Sequence, residues 1–440
     1  MKTIGLVSLG CSKNRVDSEV MLGMLSQAGY AIVSDPRKAE IIIVNTCGFI
    51  LSAKEESIDT ILEMAEYKKS GKCRMLIVTG CLVQRYGEDL RAEIPEIDLL
   101  MGVASYEKLL SAIAEADKGT HPLLTGEGNR FFCAPRVLTT PSYSAYVKLS
   151  DGCSNRCTYC AIPLIRGPYH SRPFDDIVNE CRNLTENGVT ELTLIAQDTS
   201  RYGNDFPEGK LLLPQLLHTL QGMDRLHWMR VLYCYPDTVT DELLDTMAYL
   251  PKACRYLDLP LQHTEDRVLK RMNRRGSQAL IRKLIKRCRE RDILIRTTLM
   301  VGFPGETDDE FEAMLDFMRE ARFDRLGAFS YSPEEGTAAA EMPDQIDEEV
   351  KQERLDRLML LQQEISAESC AKRVGETDEV LVEGFRRGKY YGRSRLEAPE
   401  IDGKVLFTSQ KKLKPGDYVS VHITSSSEYD LTGEAVKRDD

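Results

Sequence analysis

Short apolar runs alternate with stretches of helical periodicity through the first 120 or so residues. Ile4–Leu9, Ile41–Asn45, Met75–Thr79 and Leu99–Gly102 are almost wholly apolar and bounded by turn residues, as strands buried on both faces are. Between them, Lys54–Lys69 returns Ile58, Ile61, Leu62 and Ala65 to one helical face. The alternation predicts a small open parallel α/β domain over residues 1–120.

Residues 121–140 hold Gly, Pro and Thr without periodicity and read as a linker. Over 141–371 the alternation resumes. Tyr146–Leu149, Glu191–Ala196, Trp228–Tyr233, Tyr256–Leu259, Thr297–Val301 and Leu326–Ser330 are the expected strands. Asp175–Asn187, Leu212–Leu220, Asp241–Tyr249 and Asp308–Ala321 are patterned helices between them. Six such units suit a partial (β/α)6 TIM-like barrel. Asp347–Lys372 reads as a charged, Leu-patterned connecting helix packed on that barrel. Over 372–440 the texture turns to short β-like runs, Glu379–Val382, Val405–Phe407 and Tyr418–Ile423, which predict a small antiparallel β-barrel.

Composition narrows the class without naming a chemistry. Hydrophobic content of 42% and charged content of 29% fit a soluble globular protein. No stretch approaches 18 apolar residues, so no membrane span is expected. A net charge of −11 argues against a surface built mainly to grip phosphates and would suit a basic partner. Thirteen cysteines, an odd number spread along 440 residues, do not form a secreted disulfide framework. They point instead to metal chemistry in a reducing, cytoplasmic setting.

Where the cysteines fall is more informative than their number. Asp151–Cys160 carries Cys153, Cys157 and Cys160 in a Cys-x3-Cys-x2-Cys spacing with no fourth thiol nearby. A structural zinc site wants four ligands, usually as two Cys-x2-Cys pairs or Cys with His. A four-iron cubane wants one ligand per iron, so three thiolates leave one iron open, which is what catalysis requires. A zinc or electron-transfer site completed by a distant ligand is the alternative. Cys11, Cys47 and Cys81 each follow an apolar strand, and strand ends of a parallel sheet share one edge where ligands bind. A second three-thiolate site is therefore expected there, against three unrelated free cysteines. Cys73, Cys133, Cys181, Cys234, Cys254, Cys288 and Cys370 lack paired spacing and read as packing residues.

The Cys153/Cys157/Cys160 spacing, with Tyr159 before the last thiol, resembles the signature of radical S-adenosylmethionine (SAM) enzymes. With the N-terminal triad and the terminal β-barrel added, the whole chain resembles the methylthiotransferase branch of that superfamily. Finer stretches resemble its ribosomal-protein-modifying group, called RimO. These are Gly10-Cys11-Ser12-Lys13-Asn14, Val16-Asp17-Ser18-Glu19, Asn45-Thr46-Cys47-Gly48-Phe49-Ile50, Gln197-Asp198-Thr199-Ser200 and Ala398-Pro399-Glu400-Ile401-Asp402-Gly403.

The resemblance implies two 4Fe–4S clusters, one on each triad, a radical SAM core and a C-terminal TRAM domain. Cys153, Cys157 and Cys160 would hold the SAM-cleaving cluster, and Cys11, Cys47 and Cys81 the auxiliary one. SAM would serve as both radical source and methyl donor. The implied product is a methylthio group on the β-carbon of an aspartate in ribosomal protein S twelve. An electron donor and a sulfur donor are implied as further partners. Tyr159, Gln197, Arg296, Gly302 and Gly305 are candidate SAM contacts, with strand-end packing or a tight turn as the alternatives for the last four. His263 is expected to be a hydrogen-bonded structural residue.

A transfer-RNA methylthiotransferase of the MiaB type is the near alternative. A non-SAM iron–sulfur redox or RNA-binding adaptor is the distant one. Residues 372–440 hold 13 Lys plus Arg against 13 Asp plus Glu. An RNA-gripping domain would be basic, so this neutrality favours the protein substrate. Arg386-Arg387-Gly388-Lys389 with Tyr390 and Tyr391 could touch RNA or be a solvated loop.

Overall fold

The N-terminal apolar runs become the central strands of a six-stranded parallel sheet in the computed structural model, which describes residues 2–126 and 135–436. The order is Ala31–Ile32, Thr3–Ser8, Ile41–Thr46, Met75–Gly80, Leu99–Met101, Leu123–Leu124. Both central strands, Ile41–Thr46 and Met75–Gly80, are buried along their whole length, which explains their continuous apolar sequence. The sheet reaches past residue 120: Leu123–Leu124 pairs in parallel with Leu100–Met101, inside the segment expected to be linker. Two-residue strands leave no periodicity to read. Cys133 and part of that linker lie outside the described residues.

The middle region forms a second six-stranded parallel sheet in sequential order: Ser144–Lys148, Glu191–Ile195, Trp228–Val231, Ala253–Asp258, Leu294–Val301, Arg325–Ser330. Its end strands stay unpaired with each other, so it is a barrel left open. Phe174–Glu186, Leu213–Gln221, Asp241–Tyr249, Gln278–Arg289 and Asp308–Ala321 cover the outer face, burying the main apolar core. Gln278–Arg289 was not among the expected helices, although Ile281, Leu284, Ile285 and Cys288 form its buried stripe and Ser277 caps it. Asp308–Ala321 starts at a full capping box between Thr307 and Glu310. Glu348–Ala371 is the expected connector, and it seats Leu358 and Ile365 in the same core.

The C-terminal region is a closed barrel of Thr377–Arg386, Lys389–Arg393, Val405–Thr408, Leu431–Ala435 and Tyr418–Ser426. One pair, Val405–Thr408 with Leu431–Ala435, is parallel rather than antiparallel. Lys389–Arg393 and Leu431–Ala435 escape the sequence pattern because Gly392 and Gly433 interrupt them. This barrel docks on the inner face of the open barrel. There Trp228, Tyr256 and Cys254 pack against Leu381 and Ala398. Arg393 donates to both oxygens of Glu191 at 2.9 and 2.7 Å, and the Tyr256 hydroxyl donates to Asp402 at 2.6 Å. No described helix is long and apolar enough to cross a membrane.

Candidate functional site

Strand register gathers the first triad. Ser8 lies opposite Asn45, and Thr46 opposite Gly80, so the three strands that precede Cys11, Cys47 and Cys81 end on one rim. Gly10 and Gly80 take φ of +82° and +101°, turning the chain sharply before each thiol. A Cβ at Gly10 would stand 2.9 Å from the Cys47 Cβ, so only glycine lets the first loop close on the second. Asn14 then ties the loops together. Its Nδ2 donates to the Leu9 carbonyl at 3.2 Å and to the Thr46 carbonyl at 2.9 Å. Its Oδ1 accepts from the Cys81 thiol at 3.5 Å.

The second triad sits in a loop beyond the first strand of the open barrel, pinned by Cys153 N–H to Gly167 O and by Thr158 N–H to Met272 O. Cys157 Sγ lies 2.8 Å from the Tyr235 hydroxyl and 3.7 Å from Arg274 Nη1. Arg274 also donates to the Tyr235 and Tyr159 hydroxyls. Burial pushes both phenols well above their ordinary range, keeping them neutral donors toward sulfur. Hydrogen bonds to sulfur are one of the means by which a protein sets a cluster's potential.

All six thiols line one cavity of about 320 Å³. A buried ionic knot closes it between the triads. Arg166, on the short helix Ile162–Arg166, donates to Asn14 Oδ1 at 2.7 Å and to Asp17 at 3.0 Å. It also bonds both oxygens of Asp151 at 3.0 and 3.1 Å. Lys148 bonds Asp17 at 2.5 Å and Asp151 at 3.2 Å. Burial opposes the charge on Asp151, but Arg166 and Lys148 outweigh it and hold the carboxyl well below its usual range. Arg166 Nη2 also stands 3.9 Å from Cys81 Sγ. A residue of the middle region thus reaches a thiol of the N-terminal triad.

The donors suit a cubane on each rim, where three thiolates at one ligand per iron leave one iron open. Burial pushes the Cys81 and Cys160 thiols up to about 12 and raises Cys47 and Cys153, so binding must displace their protons. SAM also finds unsatisfied partners here. Gln197 Oε1 and Gln262 Oε1 are buried without a hydrogen bond and line the cavity. Such orphan acceptors suit a ligand ammonium or hydroxyl.

Three family models match consecutive parts of the chain: "Uncharacterized protein family UPF0004" over 3–102, the radical SAM superfamily over 147–318 and the TRAM domain over 374–436. A protein of Pelotomaculum thermopropionicum described as ribosomal protein uS12 methylthiotransferase RimO is 53% identical, covering 98% of this chain and 99% of its own. Proteins so described from Caldicellulosiruptor saccharolyticus and Geobacter sulfurreducens are 49% and 48% identical, covering 99% and 98% of this chain and 100% and 98% of their own. The chain belongs to the RimO family of radical SAM methylthiotransferases.

Solved structures place the RimO fold among radical SAM enzymes. The radical SAM methyltransferase TsrM of Kitasatospora setae superposes with a TM-score of 0.56 at 14% identity, covering 76% of this chain and 77% of its own. The cobalamin-dependent radical enzyme OxsB gives 0.52 at 13%, covering 82% and 56%.

The SAM candidates divide. Tyr159 and Gln197 line the cavity, Gln197 Nε2 reaching Asp151 at 3.4 Å. Arg296, Gly302 and Gly305 do not line it. Arg296 bonds Asp258 at 2.8 Å and lies 3.9 Å from Asp402, bracing the C-terminal barrel. Gly302 (φ +72°) donates its N–H to Glu306, and a Cβ there would meet Lys351 Cγ at 2.3 Å. Gly305 (φ +75°) would likewise meet the Arg271 guanidinium at 2.9 Å. The contacts these three make in this structure are turn and packing contacts. His263 is fully buried, its Nδ1 accepting from Glu265 N–H at 3.0 Å and its Nε2 3.5 Å from Glu306.

Cys73, Cys181, Cys254, Cys288 and Cys370 are buried away from the cavity, whereas Cys234, also buried, contributes to its wall. Arg166, Tyr235, Arg274, Gln262 and Lys148 carry no recognisable motif: Arg166, Tyr235 and Arg274 meet Asp17 or Cys157 only through the fold, and the Lys148–Asp151 spacing resembles any surface ion pair.

Proposed function

We propose that this methylthiotransferase acts on ribosomal protein uS12, placing a methylthio group on the β-carbon of an aspartate. The supporting observation is that both cysteine triads line one cavity. Hydrogen removal at one end and sulfur delivery at the other need no travel by the substrate.

Cys153, Cys157 and Cys160 would hold the SAM-cleaving cluster, and Cys11, Cys47 and Cys81 the auxiliary one. When bound, these groups and SAM supply a hydrogen-abstracting carbon radical and a sulfur that can be methylated and inserted. The protein's own part is positioning and shielding. Arg274 and Tyr235 donate toward Cys157, and Arg166 toward Cys81. Gln197 and Gln262 offer acceptors to SAM. Phe49, Ile162 and Pro163 keep part of the wall apolar, which protects a reactive intermediate from water.

An electron donor and a sulfur donor are required from outside the chain. The reducing cytoplasm suits its free thiols. Anaerobic reconstitution should give about eight irons per chain, four for each cubane. Mass spectrometry should find methylthio-aspartate in uS12 treated with the loaded enzyme, SAM, reductant and sulfide. Modification of transfer RNA alone would overturn the assignment.

A further inference from the structure

We propose that Lys13 is the binding residue for the carboxylate of the target aspartate, an inference that rests on the function proposed above. Lys13 stands two residues beyond Cys11, lines the cavity shared by the triads and is only 6% exposed. A buried ammonium is costly unless paired, and buried lysines are almost always paired. Among the described residues no carboxylate pairs with Lys13 and no hydrogen bond engages it. Its one partner is the Tyr233 ring, whose centroid lies 3.1 Å from Nζ.

That ring is held in place at a cost. Tyr233 has φ of +64°, a left-handed conformation disfavoured for a bulky residue. Its N–H donates to Asp258 at 2.9 Å, and its carbonyl accepts from Thr199 N–H at 2.8 Å. The strained backbone fixes an aromatic seat under the ammonium, and cation–π contact attenuates the charge without cancelling it.

The other cations of the cavity are committed or exposed. Arg166 is neutralised by Asp17 and Asp151. Arg274 is saturated by the Pro260 and Leu261 carbonyls and by the hydroxyls and thiol around it. Arg156 is exposed at the mouth. Among the described residues Lys13 is therefore the buried cation of the cavity whose N–H donors are unused. The substrate chemistry needs one: the reacting carbon of aspartate is bonded directly to its carboxylate. Bringing that carbon between the triads takes the anion out of water, and an ammonium there offsets the loss. The same contact would set specificity for aspartate over asparagine.

The test compares reconstituted parent, Lys13→Gln and Lys13→Arg in binding uS12 bearing either the modified aspartate or asparagine at that position. The parent should prefer the aspartate form, and Lys13→Gln should weaken it by roughly ten- to a hundredfold, the range for a hydrogen bond to a charged group. The asparagine form should bind parent and variant alike, and Lys13→Arg should recover part of the preference. Iron content equal to the parent's shows that Cys11 still holds its site. Equal weakening of both forms, loss of iron in Lys13→Gln, or an unchanged aspartate preference would overturn the inference. If the parent modifies no aspartate of uS12, the proposed function fails first, independently of Lys13.

Discussion

Replacing Arg166 with Met should loosen the N-terminal domain from the radical core. The Arg166 side chain is 1% exposed and lies between Asp17, on the N-terminal helix Ser12–Gln27, and Asp151 of the core. With Lys148 the knot holds two cations and two anions; without Arg166 it is left one positive charge short. Two attractions at about 4 Å between charges, with an effective dielectric of about 20, are worth about 4 kcal/mol each. Only the Arg166–Asp17 attraction crosses from the core to the N-terminal helix, so its about 4 kcal/mol is the part lost to opening. Measured losses on breaking buried ion pairs are about 3–5 kcal/mol, in agreement. Opening should therefore rise by roughly a hundred- to several-thousand-fold.

Hydrogen exchange of the apoprotein across Ser12–Gln27 and Ser144–Lys148 reads this directly. Arg182→Met, at an exposed site whose side chain donates to Asn179 in its own helix, is the control. Adding Asp17→Asn to Arg166→Met restores charge balance and should recover part of the protection. Protection in Arg166→Met within threefold of the parent would refute the reasoning.

Other consequences are open to measurement. Burial works against a charge on Glu191, but Arg393 outweighs it and holds the carboxyl at about 2, with Glu397 likewise at about 2 beside Arg373 and Arg325. Both pKa values are depressed on folding, so their stabilisation is full above the ordinary value of about 4.3 and fades as pH falls toward 2. Trp228, the single tryptophan, sits in that interface and should report the loss in the apoprotein. Glu191→Gln should flatten the acid limb; an unchanged limb would contradict the linkage. Cys47→Ala should lower iron from about eight to about four per chain and abolish methylthiolation while reductive SAM cleavage persists. Full methylthiolation would remove Cys47 from the ligand set. Gly302→Ala should cost roughly 1–3 kcal/mol through its left-handed φ and the Lys351 clash. SAM affinity should be unaffected, and a large rise in the SAM Kd would restore Gly302 as a contact.

The sequence revealed what local periodicity encodes. Ile41–Asn45 and Asp308–Ala321 could be read because burial on both faces or one helical stripe leaves a short-range signature. The triads were legible because ligands need fixed spacing in one case and repeated strand-end placement in the other. Arg166 was not: its value lies in Asp17, 149 residues earlier, and nothing near Ile162–Arg166 announces it. Arg296 is the opposite case. It lies close to a suggestive turn in sequence, but its side chain points to Asp258 and Asp402. Ala398–Gly403 stands out as a motif in the sequence, and only the fold shows it packed against Tyr256 on the inner sheet face.

The ionic knot can close only late in synthesis, because Asp17 precedes Arg166 by 149 residues. The N-terminal sheet is complete once Leu124 has emerged, with Cys11, Cys47 and Cys81 already on its rim. Arg166 follows about 40 residues later, which at translation rates of about 5–20 residues per second is roughly 2–8 s. During that interval the nascent rim has neither its cover nor a full complement of counter-charges for Asp17. Arrested chains should keep those thiols open to alkylation until Arg166 clears the ribosome. A newborn chain thus presents Cys11, Cys47 and Cys81 before the part of the cavity that will enclose them exists.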